Sequence, residues 1–244
     1  MYITHANSII ESIKNNKGLE LYISKTSPKS ISIEKLAQKY NIKITKVNDL
    51  TKIIKTKNHR GFALKQNALT SNNIKKQDKS LEEFLEEFQH KNNVFILILD
   101  GIEDPQNFGA ILRTSEQFNI DLVINSQRRS AKDNLTILRT SSGASQYVNK
   151  LIVPNINNVI KNLKKHGFWI YASDIKGKMV NSIKINNNKI ALIMGNEGKG
   201  IHKLVKENSD FLIRIPTRGK IDSLNVSVST GILIFEIKRQ LNWL

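Results

Sequence analysis

The sequence predicts an α/β protein: a small α/β unit followed by a larger domain built on a mainly parallel sheet. Three observations lead there. After residue 93, six short apolar runs alternate with helical patterns, as in a parallel sheet covered on both faces. Residues 70–80, Thr-Ser-Asn-Asn-Ile-Lys-Lys-Gln-Asp-Lys-Ser, are polar and aperiodic, which marks a linker. A chain of 244 residues with 39% hydrophobic and 24% charged residues has ordinary globular composition, so collagenous, mucin-like and wholly disordered classes fall away.

Within residues 1–69, Ile9, Ile10 and Ile13 mark a first helix, Leu19–Ser24 a strand, Ser32–Tyr40 a second helix, and Ile42–Val47 and Gly61–Lys65 two further strands. Residues 70–92 read as a joint: the linker, then a short acidic amphipathic helix over Leu81–Gln89. Its Leu81, Phe84, Leu85 and Phe88 fall at helical spacing. In residues 93–244 the runs Val94–Leu99, Leu122–Asn125, Val148–Val153, Phe168–Ala172, Ile190–Met194 and Phe211–Ile215 read as strands. Open parallel sheets bind ligands beyond the carboxyl ends of their strands. The loops that leave those ends are therefore the candidate sites.

Charge narrows the partner. Against 21 Asp+Glu stand 38 Lys+Arg, a net +17, which points to a polyanion. Residues 1–75 hold 14 basic and 4 acidic side chains, residues 76–92 hold 3 and 5, and residues 93–244 hold 21 and 12. Two basic halves on an acidic joint fit a protein that grips an extended nucleic acid, although a composition rich in Lys, Asn and Ile supplies part of the excess. Cysteine is absent and the five His show no ligand spacing, so no disulfide, thiolate nucleophile or metal site is expected. No apolar run approaches the roughly 18 residues of a membrane span, and the N-terminus lacks a signal-peptide pattern. A cytoplasmic protein with no membrane partner is expected.

Three loops carry the chemistry. In Leu99–Thr114, Asp104 is a candidate N-cap and Pro105 a first helical residue, which sets Asn107 in the first turn. Arg113 lies four residues after Gly109 and is expected to reach back over that bare position toward the ligand edge. Six residues separate Asn107 and Arg113, about 120° around a helix, so spacing alone does not make them converge. In Met194-Gly195-Asn196-Glu197-Gly198-Lys199-Gly200, glycines directly after a strand permit close backbone approach, but neither the Walker nor the dinucleotide pattern is present. The third loop ends at Ser223-Leu224-Asn225. Here Ser223 or Asp222 is expected to cap a helix whose apolar side includes Leu224, Val228, Ile232 and Phe235. Ser227 and Gly231 form a small-residue strip one turn apart, fit for packing within the chain or between subunits.

Asn107-Phe108-Gly109-Ala110-Ile111-Leu112-Arg113-Thr114, Met194-Gly195-Asn196-Glu197-Gly198, and Ile215-Pro216 followed by Ser223-Leu224-Asn225-Val226-Ser227-Val228 resemble the three ordered motifs of the SpoU (TrmH) family of RNA ribose 2′-O-methyltransferases, in the SPOUT superfamily. The likeness spans about residues 93–241. Residues 1–69 resemble the ribosomal-protein-like RNA-binding domain of the subgroup acting on large-subunit ribosomal RNA. The resemblance implies an α/β fold with a C-terminal trefoil knot, a homodimer, and S-adenosyl-L-methionine held by Gly195, Ile215 and Leu224, with Asn196 and Gly198 beside them. It places Arg113 at the catalytic centre, with Asn107, Glu197, Ser223 and Asn225 around the target nucleoside. A guanidinium is a poor proton acceptor, so Arg113 is expected to bind RNA phosphate and orient the hydroxyl, held by a charge-assisted pair with Glu197. The expected substrate is a guanosine of 23S ribosomal RNA, with transfer RNA the less favoured partner. A non-enzymatic ribosomal RNA-binding assembly factor is the competing class, and it need not bind the cofactor.

Overall fold

A computed structural model describes residues 2–16, 18–54, 59–66, 79–127, 136–137, 140–220 and 223–244. The chain divides into two compact units, residues 1–77 and 78–244.

The first unit contains β1 (Tyr2–Ile3), α1 (Ala6–Lys14), β2 (Gly18–Ile23), α2 (Pro28–Lys39), β3 (Lys43–Lys46), α3 (Thr51–Ile54) and β4 (Phe62–Gln66). Its sheet runs β1-β4-β2-β3, with β4 antiparallel to both neighbours and β3 parallel to β2. The expected two helices and three strands are present. The two-residue β1 and the single-turn α3 are additions too short to carry a period. Helix α2 starts at Pro28, before the expected Ser32, because Ser27 and Ser30 form a reciprocal capping box and Pro28 opens the helix. Ile9, Ile13, Leu21, Ile33, Phe62 and Leu64 fill the core.

The expected linker lies almost wholly outside the described residues. The acidic helix does not belong to a joint: α4 (Leu81–Gln89) is capped by Ser80 and Glu83 and buries Leu81, Phe84, Leu85 and Phe88 against Ile96, Ile98 and Leu122 of the second unit.

That unit continues with β5 (Val94–Asp100), α5 (Pro105–Gln117), β6 (Leu122–Ser126), β7 (Lys150–Val153), α6 (Ile156–Lys165), β8 (Trp169–Met179), β9 (Lys189–Gly195), α7 (Lys203–Glu207), β10 (Phe211–Arg214) and α8 (Val226–Leu241). The sheet order is β10-β8-β9-β5-β6-β7, and every neighbouring pair is parallel. Side chains alternate strictly between two cores. Phe95, Leu97 and Leu99 pack with α5 and α8, whereas Val94, Ile96 and Ile98 pack with α4 and α6. Burial on both faces is why the central strands β5 and β9 appear in the sequence as unbroken apolar runs, while the edge strands β7 and β10 are partly exposed.

Strand β8 lies between β9 and β10, so the chain passes from one side of β8 to the other before α8. Register against β10 jumps from Ala172 opposite Leu212 to Lys178 opposite Ile213. Gly177 closes this bulge, and a Cβ there would fall 2.5 Å from the Ile213 amide nitrogen.

Candidate active site

Strands β5, β9 and β10 end at Asp100, Gly195 and Arg214. Their following loops supply the expected residues. Asp104 caps α5 as anticipated, accepting from the amides of Gln106 (3.0 Å) and Asn107 (3.2 Å), which fixes Asn107 in the first turn. Helix α8 departs from expectation, for its cap is Asn225. The Asn225 Oδ1 accepts from the amides of Ser227 (2.9 Å) and Val228 (3.4 Å) and from the Ser227 hydroxyl (2.6 Å). Ser223 is exposed upstream of the cap, and Asp222 lies outside the described residues.

Asn107, Glu197 and Asn225 meet. The Asn107 amide donates to Glu197 Oε1, and the Asn225 Nδ2 donates to Asn107 Oδ1 (3.0 Å) and to Glu197 Oε1 (3.3 Å). An ionised carboxylate only accepts, so it fixes which way both amides point, and Asn225 turns its oxygen to the helix. Residues far apart in sequence thereby lock the starts of α5 and α8 to the glycine loop. Asn107 is buried, while Glu197 and Asn225 are exposed. The second oxygen of Glu197 has no partner among the described residues.

Arg113 stands apart from this cluster. Its Nη1 donates to Ser142 Oγ at 3.4 Å, and it makes no ion pair among the described residues. The expected Arg113–Glu197 pair is therefore absent: Asn107 and Asn225 bond one oxygen of Glu197, and Arg113 turns to Ser142 instead. The space over Gly109 is filled as well. Thr140 lies across it, its hydroxyl donating to the Thr136 carbonyl (2.8 Å), and a Cβ on Gly109 would fall 1.7 Å from Thr140 Oγ1. Gly109 admits Thr140, and Arg113 projects into solvent beside Ser142.

The glycine loop is a closed turn. Asn196 and Gly200 exchange backbone hydrogen bonds (3.1 and 2.8 Å), and the Asn196 side chain accepts from Gly198 (2.9 Å) while donating to the Gly101 carbonyl (2.9 Å). A Cβ on Gly195 would fall 2.4 Å from the Gly200 carbonyl carbon. The glycine is thus required by the chain's approach to itself. A second bridge ties the end of β5 to the residues after this loop. Buried Asp100 at the end of β5 accepts from the His202 amide (2.9 Å) and faces its Nδ1 (2.9 Å). Nothing in the spacing of two residues 102 positions apart announces it.

For a cofactor, the relevant surface is the chain after β10. Residues 215–220 make no backbone hydrogen bond to another described residue, which leaves main-chain donors and acceptors available. Ile215 packs on the core edge, and Leu224 is 41% exposed. Apolar contacts with unpaired backbone groups suit a nucleoside. Among the described residues no cluster of His, Asp or Glu could hold a metal ion, and no helix is long and apolar enough to cross a membrane.

Helix α8 also turns out differently from its expected orientation. Val226, Thr230, Leu233, Ile234 and Ile237 face the core, and Val228, Ile232 and Phe235 face out at 50%, 39% and 47% exposure.

Comparison with known proteins agrees with this architecture. The SpoU rRNA Methylase family model matches residues 94–235. A Borreliella burgdorferi protein named an uncharacterized tRNA/rRNA methyltransferase is 69% identical over 222 residues, covering 90% of this chain and 97% of its own. The 23S rRNA (guanosine-2'-O-)-methyltransferase RlmB of Xanthomonas campestris is 31% identical over 98% of this chain and 96% of its own. The solved structure of an AdoMet-bound rRNA methyltransferase from Sinorhizobium meliloti superposes with a TM-score of 0.71 at 21% identity, over 98% of this chain and 87% of that one.

Proposed function

The chain belongs to the SpoU rRNA Methylase family, and on that premise we propose that it transfers a methyl group from S-adenosylmethionine to the ribose 2′-hydroxyl of a guanosine in 23S ribosomal RNA. The interlocked Asn107–Glu197–Asn225 cluster supports this most directly, with Arg113 exposed further along α5. A ribosomal RNA substrate is favoured over transfer RNA because the relative named for 23S rRNA aligns over 98% of the chain, first unit included.

S-adenosylmethionine would be held by Gly195, Ile215 and Leu224, with Asn196 and Gly198 in the adjoining turn, and it supplies an electrophilic methyl on a sulfonium. The protein's own task is to present the hydroxyl in line and take its proton. Arg113 grips the phosphate next to the target ribose through its planar fork, a function open to it because Glu197 does not claim it. Asn107 and Asn225 hold Glu197 in place, and Ser223 hydrogen-bonds the nucleoside from the edge. Of these side chains Glu197 is the carboxylate, and its Oε2, without a partner among the described residues, receives the hydroxyl proton.

The first unit, basic and without catalytic groups, anchors the RNA. The exposed Val228, Ile232 and Phe235 stripe seats a second copy of the chain, since an apolar face of this kind is costly to leave wet. We place the enzyme in the cytoplasm with its substrate. The deciding experiment combines purified protein and methyl-labelled S-adenosylmethionine with unmodified large-subunit RNA and, in parallel, unmodified transfer RNA. Label in an alkali-resistant dinucleotide is expected, because a 2′-O-methyl blocks cleavage at that step. Label in a base, or in transfer RNA only, would sink the proposal.

A further inference from the structure

Accepting that the first unit anchors RNA, we infer that it does so by holding the phosphodiester backbone in one basic groove at the carboxyl end of β2. The groove has a volume of about 840 Å³. Lys25 lines it from the loop leading into α2, Lys29 from the first turn of α2, and His59 and Arg60 from the turn before β4.

The fold sets the groove's shape before any ligand arrives. The Gly61 carbonyl accepts from the amides of Ser24 (2.8 Å) and Lys25 (3.2 Å), which ties one wall to the other. Gly61 has φ +86°, and a Cβ there would fall 2.6 Å from Lys25 Cβ, so the walls come this close only across a glycine. His59 is a brace. Its Nδ1 accepts from the Gly61 amide (3.3 Å), which puts the ring proton on Nε2, 3.1 Å from Thr51 Oγ1.

Charge selects the ligand class. Among the described residues no carboxylate lines the groove, and Lys25, Lys29 and Arg60 make no ion pair. Two cations elsewhere in the unit are compensated: Lys43 meets Glu20 at 3.0 Å and Lys46 meets Glu34 at 3.4 Å. Hydrogen bonds from Thr45 (2.6 Å), Tyr22 (2.7 Å) and Lys43 further hold Glu20 ionised, its pKa down at about 2. Three uncompensated cations thus converge on one concavity. Two are flexible point charges and one is a planar fork, a set that binds phosphates without reading bases.

The full-length protein tests this with a large-subunit ribosomal RNA transcript as probe. The groove variant carries Lys25→Ala, Lys29→Ala and Arg60→Ala. A control variant removes the same charge elsewhere in the unit, at the exposed Lys14, Lys35 and Lys39. Groove substitution is expected to weaken RNA binding at least tenfold. It should also reduce the slope of log affinity against log salt by about 2–3, since each phosphate contact contributes roughly 0.7–0.9. The control is expected to lose less than about threefold. S-adenosylmethionine affinity and turnover at saturating RNA should match the wild type in both. Equal losses in groove and control variants would mean diffuse attraction and overturn the groove. Tight binding of inorganic tripolyphosphate to the wild type, with RNA affinity unchanged in the groove variant, would make it a small-anion site and also overturn it. The premise fails separately: if both variants bind RNA as the wild type does at every salt concentration, the unit is no anchor.

Discussion

Helices α5 and α8 meet side by side at the carboxyl edge of the sheet, and each opens on a capped turn that lends an asparagine to the same cluster. Each also carries a glycine in its body. Beyond that they diverge. Helix α5 has neighbours on most sides: Thr140 fills the position over Gly109, and the side chain left in solvent is Arg113. Helix α8 keeps a bare apolar stripe, and its Gly231 has only Thr114 Cγ2 near, at 3.7 Å from where a Cβ would sit. The same sequence signals, a helix-interior glycine and apolar residues at helical spacing, therefore mean different things on the two helices. What decides is the neighbour, which spacing does not record.

Arg113→Lys probes the exposed group of α5 and carries the largest expected effect. Lysine keeps the charge and loses the planar fork, so kcat should fall by about 10²–10³, the range for removing a group that acts in the transition state. S-adenosylmethionine affinity and thermal midpoint should hold, because among the described residues Arg113 has only a 3.4 Å hydrogen bond to Ser142 to lose. Near-normal turnover would show that phosphate gripping is not its role. On α8 the matching probe is Val228→Glu, which sets a charge in the exposed stripe. Sedimentation should then show monomer where the wild type is a dimer, and a wild type that is itself monomeric would refute the proposed second copy.

How far the sequence announced this contrast depends on how local each feature is. The six strands are legible as short apolar runs, unbroken where both faces are buried as in β5 and β9, and α4 is legible because Leu81, Phe84, Leu85 and Phe88 recur at helical spacing. The buried side of α8 was not. Val226, Thr230, Leu233 and Ile237 run at helical spacing just as Val228, Ile232 and Phe235 do, and the side facing the core follows from where β5 and β9 lie. Asn107, Glu197 and Asn225 could be singled out from their motifs, yet Glu197 was assigned to Arg113. Its true partners follow from β9 lying next to β5, a fact of sheet order. Thr140, Ser142 and His202 left no local signal, since each matters through a contact distant in sequence.

Gly109→Ala tests the crowded helix. Alanine is ordinarily the better helix former by about 1 kcal/mol. Here its methyl would collide with Thr140, and overpacking of this kind costs about 1–3 kcal/mol. A lower thermal midpoint is expected, partly restored by adding Thr140→Ala, which removes the nearest clashing atom. An unchanged midpoint would mean that Thr140 can move aside without cost.

Gly231→Ala is the smallest and most discriminating test, because the same substitution on the partner helix should have the opposite sign. With its nearest contact at 3.7 Å, the new methyl meets ordinary van der Waals distance and the helix propensity gain survives. A rise of about 2–4 °C in thermal midpoint is expected for a gain near 1 kcal/mol in a chain of this size. Sedimentation of the same variant then assigns the Ser227–Gly231 strip. If self-association is untouched, the glycine serves only the approach of α8 to Thr114 on α5, which is the expected result. If the variant associates more weakly while each monomer is no less stable, the strip belongs to the contact between copies, and the exposed stripe of α8 extends around the helix as far as Gly231.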